Sequence, residues 1–307
     1  MRLEPVYSET RCATMAPFMP AEAFTKRVGV LHPGEMGSVA ALTLHNAGHE
    51  VYWVSQGRSR RSHRRAEELG LEDARTLERA CEICSIVVSV CPPEFADDTA
   101  DRVLACGFRG LYIDANAISP ERAERMAQRF WGSGAAFVDA SIIGLATREP
   151  GKVWIYFSGD QAGRAAALFG HAGPFEPEAI GDRIGQASAL KMCFSGFNKG
   201  SIALLCAVLA AAEQLGVRDL LKRQWARSDR ELAVAENKVA RVAAKAWRFA
   251  PEMLEIANAF QTAGVSGDFH RAAAEIYGRL EGFKDVDAPG FEEILRALGS
   301  AALTAPR

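Results

Sequence analysis

The chain has 307 residues, and its 36 lysines and arginines nearly balance its 38 aspartates and glutamates, giving a formal net charge of −2 at pH 7. This balance argues against a protein held to nucleic acid or to anionic lipid mainly by bulk charge. An apolar content of 49% excludes wholesale disorder, and the length suits about two domains. Seven cysteines without a framework spacing predict reduced thiols and a cytoplasmic protein.

Short apolar runs alternate with helical patterns in the first half of the chain. Residues 1–26 lack any period and predict a flexible tail without a secretory signal. The apolar runs at residues 27–31, 50–54, 85–90, 110–114, 136–139 and 153–157 predict strands, with helices between several of them. This alternation predicts an α/β fold whose N-terminal domain, residues 27–182, is a Rossmann-type doubly wound parallel sheet.

The second half of the chain reads as helical. Residues 186–215 have the pattern of one long helix, and the remainder is rich in alanine, leucine, glutamate and arginine. The longest apolar run, residues 202–212, is shorter than the roughly 20 residues of a bilayer span, so it predicts a buried helix segment. We therefore predict an all-α domain, residues 183–307, that binds substrate and pairs with its copy in a homodimer.

The turn after the first strand has most of a dinucleotide-binding motif. In G-x-G-x-x-G the first glycine permits the tight turn, the second lets the backbone approach the pyrophosphate, and the third lets helix and strand pack closely. Here His32, Gly34 and Gly37 hold these positions, so the first glycine is missing. The strand before and the helix after favour nucleotide binding over a purely structural turn. The expected contact residues are His32, Pro33, Gly34, Glu35, Met36 and Gly37.

The end of the second strand favours NADP(H) over NAD(H). NAD-selective sites place a carboxylate there for the ribose 2′-hydroxyl, but this chain has Ser55 at that position. Arg58, Ser59 and Arg60 follow and offer donors for a 2′-phosphate. The alternative is that these arginines form a solvated helix face. Cys81 and Cys84 lack a second cysteine pair, so we expect packing thiols and no metal site.

Several segments, taken in order, resemble the 3-hydroxyacid dehydrogenase and 6-phosphogluconate dehydrogenase-like superfamily. They are residues 28–37, 88–93, 114–120, 137–144 and 185–191. The chain is most similar to an uncharacterised bacterial branch with a helical C-terminal domain of unknown function. The resemblance implies a catalytic Lys191 in a cleft between the domains. It also implies cofactor contacts by Cys91, Pro92 and Asn116, and a substrate segment that includes Ser141, Ile143 and Gly144.

The chain departs from the family pattern at three positions. The substrate-segment serine falls on Ile143, so one expected carboxylate contact is absent. The asparagine one turn after the lysine falls on Ser195, and a later lysine of the C-terminal domain falls near Pro251. The redox scaffold is therefore better supported than any particular hydroxy-acid substrate.

Lys191 is the candidate general acid/base. A lysine of ordinary pKa, about 10.4, is a poor base at neutral pH, but desolvation in a cleft lowers the pKa towards about 7–8. Ser195 and Asn198 follow four and seven residues later, so we expect them on the same helical face. The alternative is a lysine that only extends from a buried helix to solvent. His270 is a candidate substrate contact from the second subunit.

Together these residues predict an NADP-dependent oxidoreductase that interconverts a hydroxyl and a carbonyl group on a small molecule resembling a 3-hydroxy acid. The nearest enzymatic alternative is an NADPH-dependent imine reductase. Lys191 favours an oxygen substrate, whereas Ile143 favours a less polar one. The non-enzymatic alternative is a dinucleotide-binding regulator. We expect no nucleic-acid or membrane partner.

Overall fold

The computed structural model describes residues 25–227, 239–284, 286 and 289–299. All but the last two residues of the predicted tail therefore lie outside the described residues. The first half contains β1 (Arg27–Val30), α1 (Glu35–Asn46), β2 (Glu50–Trp53), α2 (Arg60–Glu68), β3 (Glu72–Asp73), α3 (Leu77–Ile83), β4 (Ile86–Ser89), α4 (Ala96–Ala105), β5 (Leu111–Asp114), α5 (Pro120–Phe130) and β6 (Ala136–Ile143). The second half contains β7 (Val153–Ser158), α6 (Ala162–Phe169), β8 (Phe175–Gly181), α7 (Gln186–Gln214), α8 (Arg218–Arg227), α9 (Ala246–Thr262), α10 (Asp268–Gly278) and α11 (Phe291–Gly299), with short 3₁₀ turns at Pro93–Phe95 and Glu281–Phe283.

The eight strands form one sheet in the order β3-β2-β1-β4-β5-β6-β7-β8. Every neighbouring pair is parallel except β6 and β7, which are antiparallel. The prediction of an α/β fold with a Rossmann-type sheet followed by a helical domain is confirmed. The order changes direction between β1 and β4, where such sheets bind ligands at the carboxyl ends of their strands.

The structure has two strands that the sequence did not predict, β3 and β8, because neither has a buried apolar run. The β3 strand is only two exposed acidic residues. The edge strand β8 carries Glu176 and Glu178 and is mostly unburied. In contrast, β6 continues past the predicted end at Asp139 to Ile143; these added residues are buried and pair with β7, whereas the pairing with β5 ends at Asp139.

Two apolar layers cover the sheet. Val28, Val88 and Ile113 belong to the layer shared with α1 and α6, whereas Val87 and Tyr112 belong to the layer shared with α3, α4 and α5. Successive strand residues point to opposite faces, so strands buried on both sides read as continuous apolar runs. This is why the central strands were predictable from sequence.

The long helix α7 is the centre of the helical domain. It packs against α9, α10 and α11 and against β6 and β7 of the sheet. By length and composition α7 could cross a membrane. In the structure Met192, Ala203, Cys206 and Leu209 on one of its faces lie in the core of the helical domain. The helix predicted over residues 186–215 matches α7 to within one residue at its end.

A buried carboxylate on β6 holds the first turn of α7. Asp139 Oδ2 accepts hydrogen bonds from Ser158 Oγ at 2.9 Å, and from the backbone N–H groups of Gly185 and Ser188 at 3.0 Å each. Its Oδ1 accepts from Ser188 Oγ at 2.6 Å. Burial raises the pKa of Asp139, and the four donors oppose that change. A carboxylate in this position satisfies free N–H groups and the positive end of the helix dipole. Lys191 therefore follows at a defined place, one turn into α7.

We expect Asp139→Ala to lower the free energy of unfolding by at least about 2 kcal/mol, because four buried donors lose their acceptor. Asp139→Asn keeps an acceptor for three of these donors and should cost less. Urea unfolding measures both effects. Asp160→Ala, at an exposed turn residue, is the matched control and should change stability by less than about 0.5 kcal/mol. Equal losses for Asp139→Ala and Asp160→Ala would contradict the anchoring role.

Candidate functional site

The glycine turn leaves the N-terminus of α1 open. Gly34 is the N-cap residue, and no side chain of the described residues caps the helix there. A Cβ atom built on Gly34 meets nothing within 4 Å, whereas one built on Gly37 would lie 2.0 Å from the His32 carbonyl oxygen. Gly37 is thus needed for close packing of the turn, and Gly34 leaves free space in front of the N–H groups. Glu35 and Met36 form the first turn of α1 behind this space.

Basic side chains converge beside the turn. His32 Nδ1 and Arg58 Nε are buried and have no hydrogen-bond partner among the described residues. Burial, followed by the charges of Arg58 and Arg102, lowers the pKa of His32 to about 3, so this imidazole is neutral at pH 7. Arg58 is therefore turned inward and is not part of a solvated helix face. Arg102 of α4 was not among the predicted residues.

The other predicted 2′-phosphate residues have different surroundings. The Ser55 carbonyl accepts from the backbone N–H of Arg58 at 3.1 Å and closes a turn. Ser59 is the N-cap of α2, and its Oγ accepts from the backbone N–H of Ser62 at 3.3 Å. Arg60 is exposed at the first position of α2. Arg58 is thus the one predicted arginine that the structure brings to the glycine turn.

Asn116 joins the loops that follow β4 and β5. Its Oδ1 accepts from the backbone N–H of Cys91 at 2.6 Å, and its Nδ2 donates to Asp114 Oδ2 at 2.8 Å and to Ser89 Oγ at 3.2 Å. Both ends of the Asn116 amide are therefore engaged, so it holds the Cys91–Pro92 backbone in place rather than presenting a free amide to a ligand. Burial raises the pKa of Cys91 to about 11, so it is a neutral thiol.

Lys191 lies beside the end of β6. Its Nζ donates to the Ile142 carbonyl oxygen at 2.8 Å. Burial lowers the pKa of Lys191 to about 8; Glu252 opposes this change, and Lys199 and Arg248 add to it. Ser195 is buried on the same side of α7, close to Glu252. A lysine in this environment exchanges a proton near neutral pH, as a general acid/base requires.

The predicted substrate segment is the end of β6 next to Lys191. Ser141 Oγ is buried without a hydrogen-bond partner among the described residues, on the same strand face as Asp139. Ile143 contributes a buried apolar side chain. Gly144 ends the strand with φ +135°, and a Cβ atom there would lie 2.9 Å from the Lys152 carbonyl oxygen. The segment offers one hydroxyl and an apolar surface.

Two predicted residues do not meet Lys191. Asn198 is exposed, and its Nδ2 donates to the Phe194 carbonyl of its own helix at 2.8 Å. Lys191 is half-buried at the edge of the buried face of α7, and Asn198, seven residues later on the same side, is exposed. His270 is packed in the helical core of its own chain, with its ring 4.5 Å from Phe260 and 5.3 Å from Phe269 between centroids.

Contacts from α9 join the helical part of the chain to the carboxyl edge of the sheet. Arg248 Nη1 is 3.0 Å from Glu35 Oε2 at the start of α1. Glu255 Oε2 accepts from the backbone N–H of Ser119 at 2.8 Å, and its Oε1 is paired with Arg122. The sequence held no periodic signal for these pairs, since they join residues more than 130 positions apart.

Glu252 of α9 and Lys199 of α7 form a buried ion pair behind Lys191, and neither was predicted as a site residue. The only signal in the sequence was that a lysine of the family's C-terminal domain falls near Pro251, next to Glu252.

Within the described ranges, no group of three or more His, Cys, Asp or Glu residues could hold a metal ion. Cys81 and Cys84 are free, and burial raises the pKa of each to about 12.

Comparisons with known proteins agree with this two-part architecture. Residues 27–169 match the NAD binding domain of 6-phosphogluconate dehydrogenase, and residues 212–280 match a domain of unknown function (DUF1932). The uncharacterized 28.5 kDa protein in the 7S RNA 5′ region of Methanothermus fervidus is 30% identical over 195 residues, which are 64% of this chain and 74% of that protein.

Solved structures show the same fold over most of the chain. The conserved protein MTH1747, described as structurally similar to 3-hydroxyacid dehydrogenases, is 28% identical with a TM-score of 0.62, over 90% of this chain and 100% of its own. Mycobacterium tuberculosis 3-hydroxyisobutyrate dehydrogenase with L-serine is 19% identical (TM-score 0.65; 90% and 100%). Aspergillus terreus reductive aminase with NADPH and ethyl levulinate is 16% identical (TM-score 0.52; 88% and 98%).

Proposed function

We propose that this protein, which belongs to the 3-hydroxyacid dehydrogenase and 6-phosphogluconate dehydrogenase-like superfamily, is an NADP-dependent oxidoreductase that interconverts a hydroxyl and a carbonyl group. The membership confirms the resemblance identified from the motifs. The observation that carries the proposal is the part-buried Lys191, held at the end of β6 with a pKa lowered to about 8. The same α/β topology binds ligands along the carboxyl edge of its strands.

The residues of the cleft fit a nicotinamide dinucleotide. The open N-terminus of α1 and the space over Gly34 suit a pyrophosphate, and the unpartnered Arg58 Nε and His32 Nδ1 suit a phosphate and a polar ribose. The Cys91–Pro92 backbone, fixed by Asn116, would line the nicotinamide side. A bound nicotinamide supplies or accepts the hydride.

The protein's own contribution is to position the substrate and move a proton. Lys191 would donate a proton to the carbonyl oxygen during reduction and take it back during oxidation, with the Ile142 carbonyl fixing the direction of Nζ. Ser141, near the end of β6, and Ser195, one turn after Lys191, would offer hydroxyl groups to the substrate, and Ile143 would supply an apolar wall. We propose a small-molecule substrate resembling a 3-hydroxy acid.

Imine reduction is the second candidate. Ile143 in place of a carboxylate-binding serine favours a less polar substrate, and the reductive aminase of Aspergillus terreus has the same fold. Absorbance of NADPH at 340 nm, measured with keto acids, aldehydes and imines, separates the two reactions. Nucleotide binding without turnover across the whole panel would favour a regulator.

Removal of the basic side chain at the glycine turn should weaken NADP(H) selectively. We expect Arg58→Ala to raise the Kd for NADPH by roughly 10–100-fold, because hydrogen bonds to a charged group are lost, and to change that for NADH much less. Arg64→Ala, at an exposed site on α2, is the control. Nucleotide fluorescence titration gives the constants. Equal affinities of the wild-type protein for NADH and NADPH would refute the NADP preference.

Loss of Lys191 should remove turnover and keep the cofactor. We expect Lys191→Ala to bind NADPH normally and to lose roughly 10²–10⁴-fold in kcat, whereas Lys152→Ala, at an exposed lysine, keeps its activity. In the wild type, reduction needs the ammonium and should slow as pH rises through about 8; oxidation needs the amine and should accelerate over the same range. Near-normal turnover of Lys191→Ala would refute the role.

We also propose a cytoplasmic homodimer. Leu190, Phe194, Phe197 and Leu204 are exposed along one side of α7, and Phe197 is 76% exposed. Such a stripe is large for a monomer surface and suits a second copy of the helix across a two-fold axis. Light scattering should give twice the 33.2 kDa chain mass, and Phe197→Asp should give the single-chain mass. A wild-type protein of 33.2 kDa would contradict the dimer.

A further inference from the structure

Lys199 and Glu252 form a buried ion pair, and an aromatic ring and a hydrogen bond from α10 hold Lys199 in place. Lys199 Nζ is paired with Glu252 Oε2, and it lies 4.4 Å from the centroid of the Phe249 ring. The Tyr277 hydroxyl donates a hydrogen bond to the Lys199 carbonyl oxygen, with 2.6 Å between the two oxygens, and so joins this turn of α7 to α10. Glu252 is only 7% exposed. A buried pair of this kind is costly to desolvate, so stability alone is a weak reason for its presence.

One oxygen of the pair is left unused. Glu252 Oε1 is buried and has no hydrogen-bond partner among the described residues, although an unpaired buried acceptor is costly. The Lys199 ammonium already engages the other oxygen. Lys191, Ser195 and Lys199 follow one another at intervals of four residues along α7, and Ser195 is close to Glu252, so the pair lies along the side of α7 that carries Lys191. From there the charge of Glu252 favours the Lys191 ammonium.

We propose that Glu252 and Lys199 are positioning residues that together govern whether Lys191 holds its proton. The inference rests on the proposed role of Lys191 as the general acid/base. Glu252 alone would keep Lys191 charged and unable to act as a base, and Lys199 alone would keep it neutral and unable to act as an acid. As a pair, they allow both forms, as a reversible proton transfer requires.

One more charged group acts on Lys191, and it has a partner of its own. Arg248, on α9, lowers the proton affinity of Lys191, but it is paired with Glu35 at 3.0 Å. From β6, Lys191 receives only the carbonyl dipole of Ile142 in the described structure. The balance between Glu252 and Lys199 is therefore the adjustable part of its environment.

Competitive acylation with acetic anhydride, followed by peptide mass spectrometry, measures the titration of Lys191 in the cofactor-free full chain. We expect Glu252→Gln to lower its pKa by about one unit and Lys199→Met to raise it by about one unit, because each removes one charge of opposite sign. Lys199→Arg keeps the pair and should restore the wild-type titration. Lys152, which is exposed, is the internal reference in every sample.

Structural damage has a different signature. A loosened core would expose Lys191 and raise its pKa in every variant, so a decrease in Glu252→Gln cannot come from exposure. If Glu252→Gln fails to fold, Glu252→Asp withdraws the carboxylate and should give the same decrease. Shifts of the same sign in both variants, or no shift, would overturn the proposal. Because labelling needs no turnover, the expected shifts in a protein without activity would refute the proposed function alone.

Discussion

The buried carboxylate of Asp139 joins the sheet to the helical domain, and the site depends on that junction. It accepts both backbone and side-chain donors from the first turn of α7, together with the hydroxyl of Ser158 on the neighbouring strand. The first turn of α7 is fixed to Asp139 of β6, and the helix is 29 residues long. Because each helical residue advances by a fixed rise and rotation, the position of every later side chain relative to the sheet is then set. Lys191 reaches the Ile142 carbonyl for this reason.

The chemistry of Lys191 follows from a competition between burial and nearby charge. Burial disfavours the ammonium, and the attraction of Glu252 favours it; burial prevails, since the pKa falls to about 8. Contacts from α9 make this burial possible, because Glu255 and Arg248 hold that helix over the end of the sheet. The surroundings of Lys191 thus combine contacts from the sheet and from the helical part of the chain, and neither supplies them alone.

Much of the fold was predictable because local patterns record burial. Central strands such as β4 and β5 are buried throughout and apolar up to their last residue, since helices cover both faces of the sheet. The edge strand β8 gave no such signal, because Glu176 and Glu178 face away from the core. Helical spacing places Asn198 on the same side of α7 as Lys191, but packing against other elements decides where the buried face ends, and Asn198 is exposed. Spacing alone cannot report that choice.

The order of residues along the chain was enough to establish the Rossmann-type sheet, the glycine turn, the long helix and the candidate lysine. The sheet, the turn and the helix each depend on neighbours within one or two turns or on a short apolar run, so that information is local. The candidate lysine came instead from the resemblance of residues 185–191 to a known family. Only the folded chain shows three other features. Arg58 Nε is buried, both ends of the Asn116 amide are hydrogen-bonded, and Lys199 is paired with Glu252. Those contacts join residues on different elements, and electrostatic free energy depends on distance in space rather than on separation in sequence.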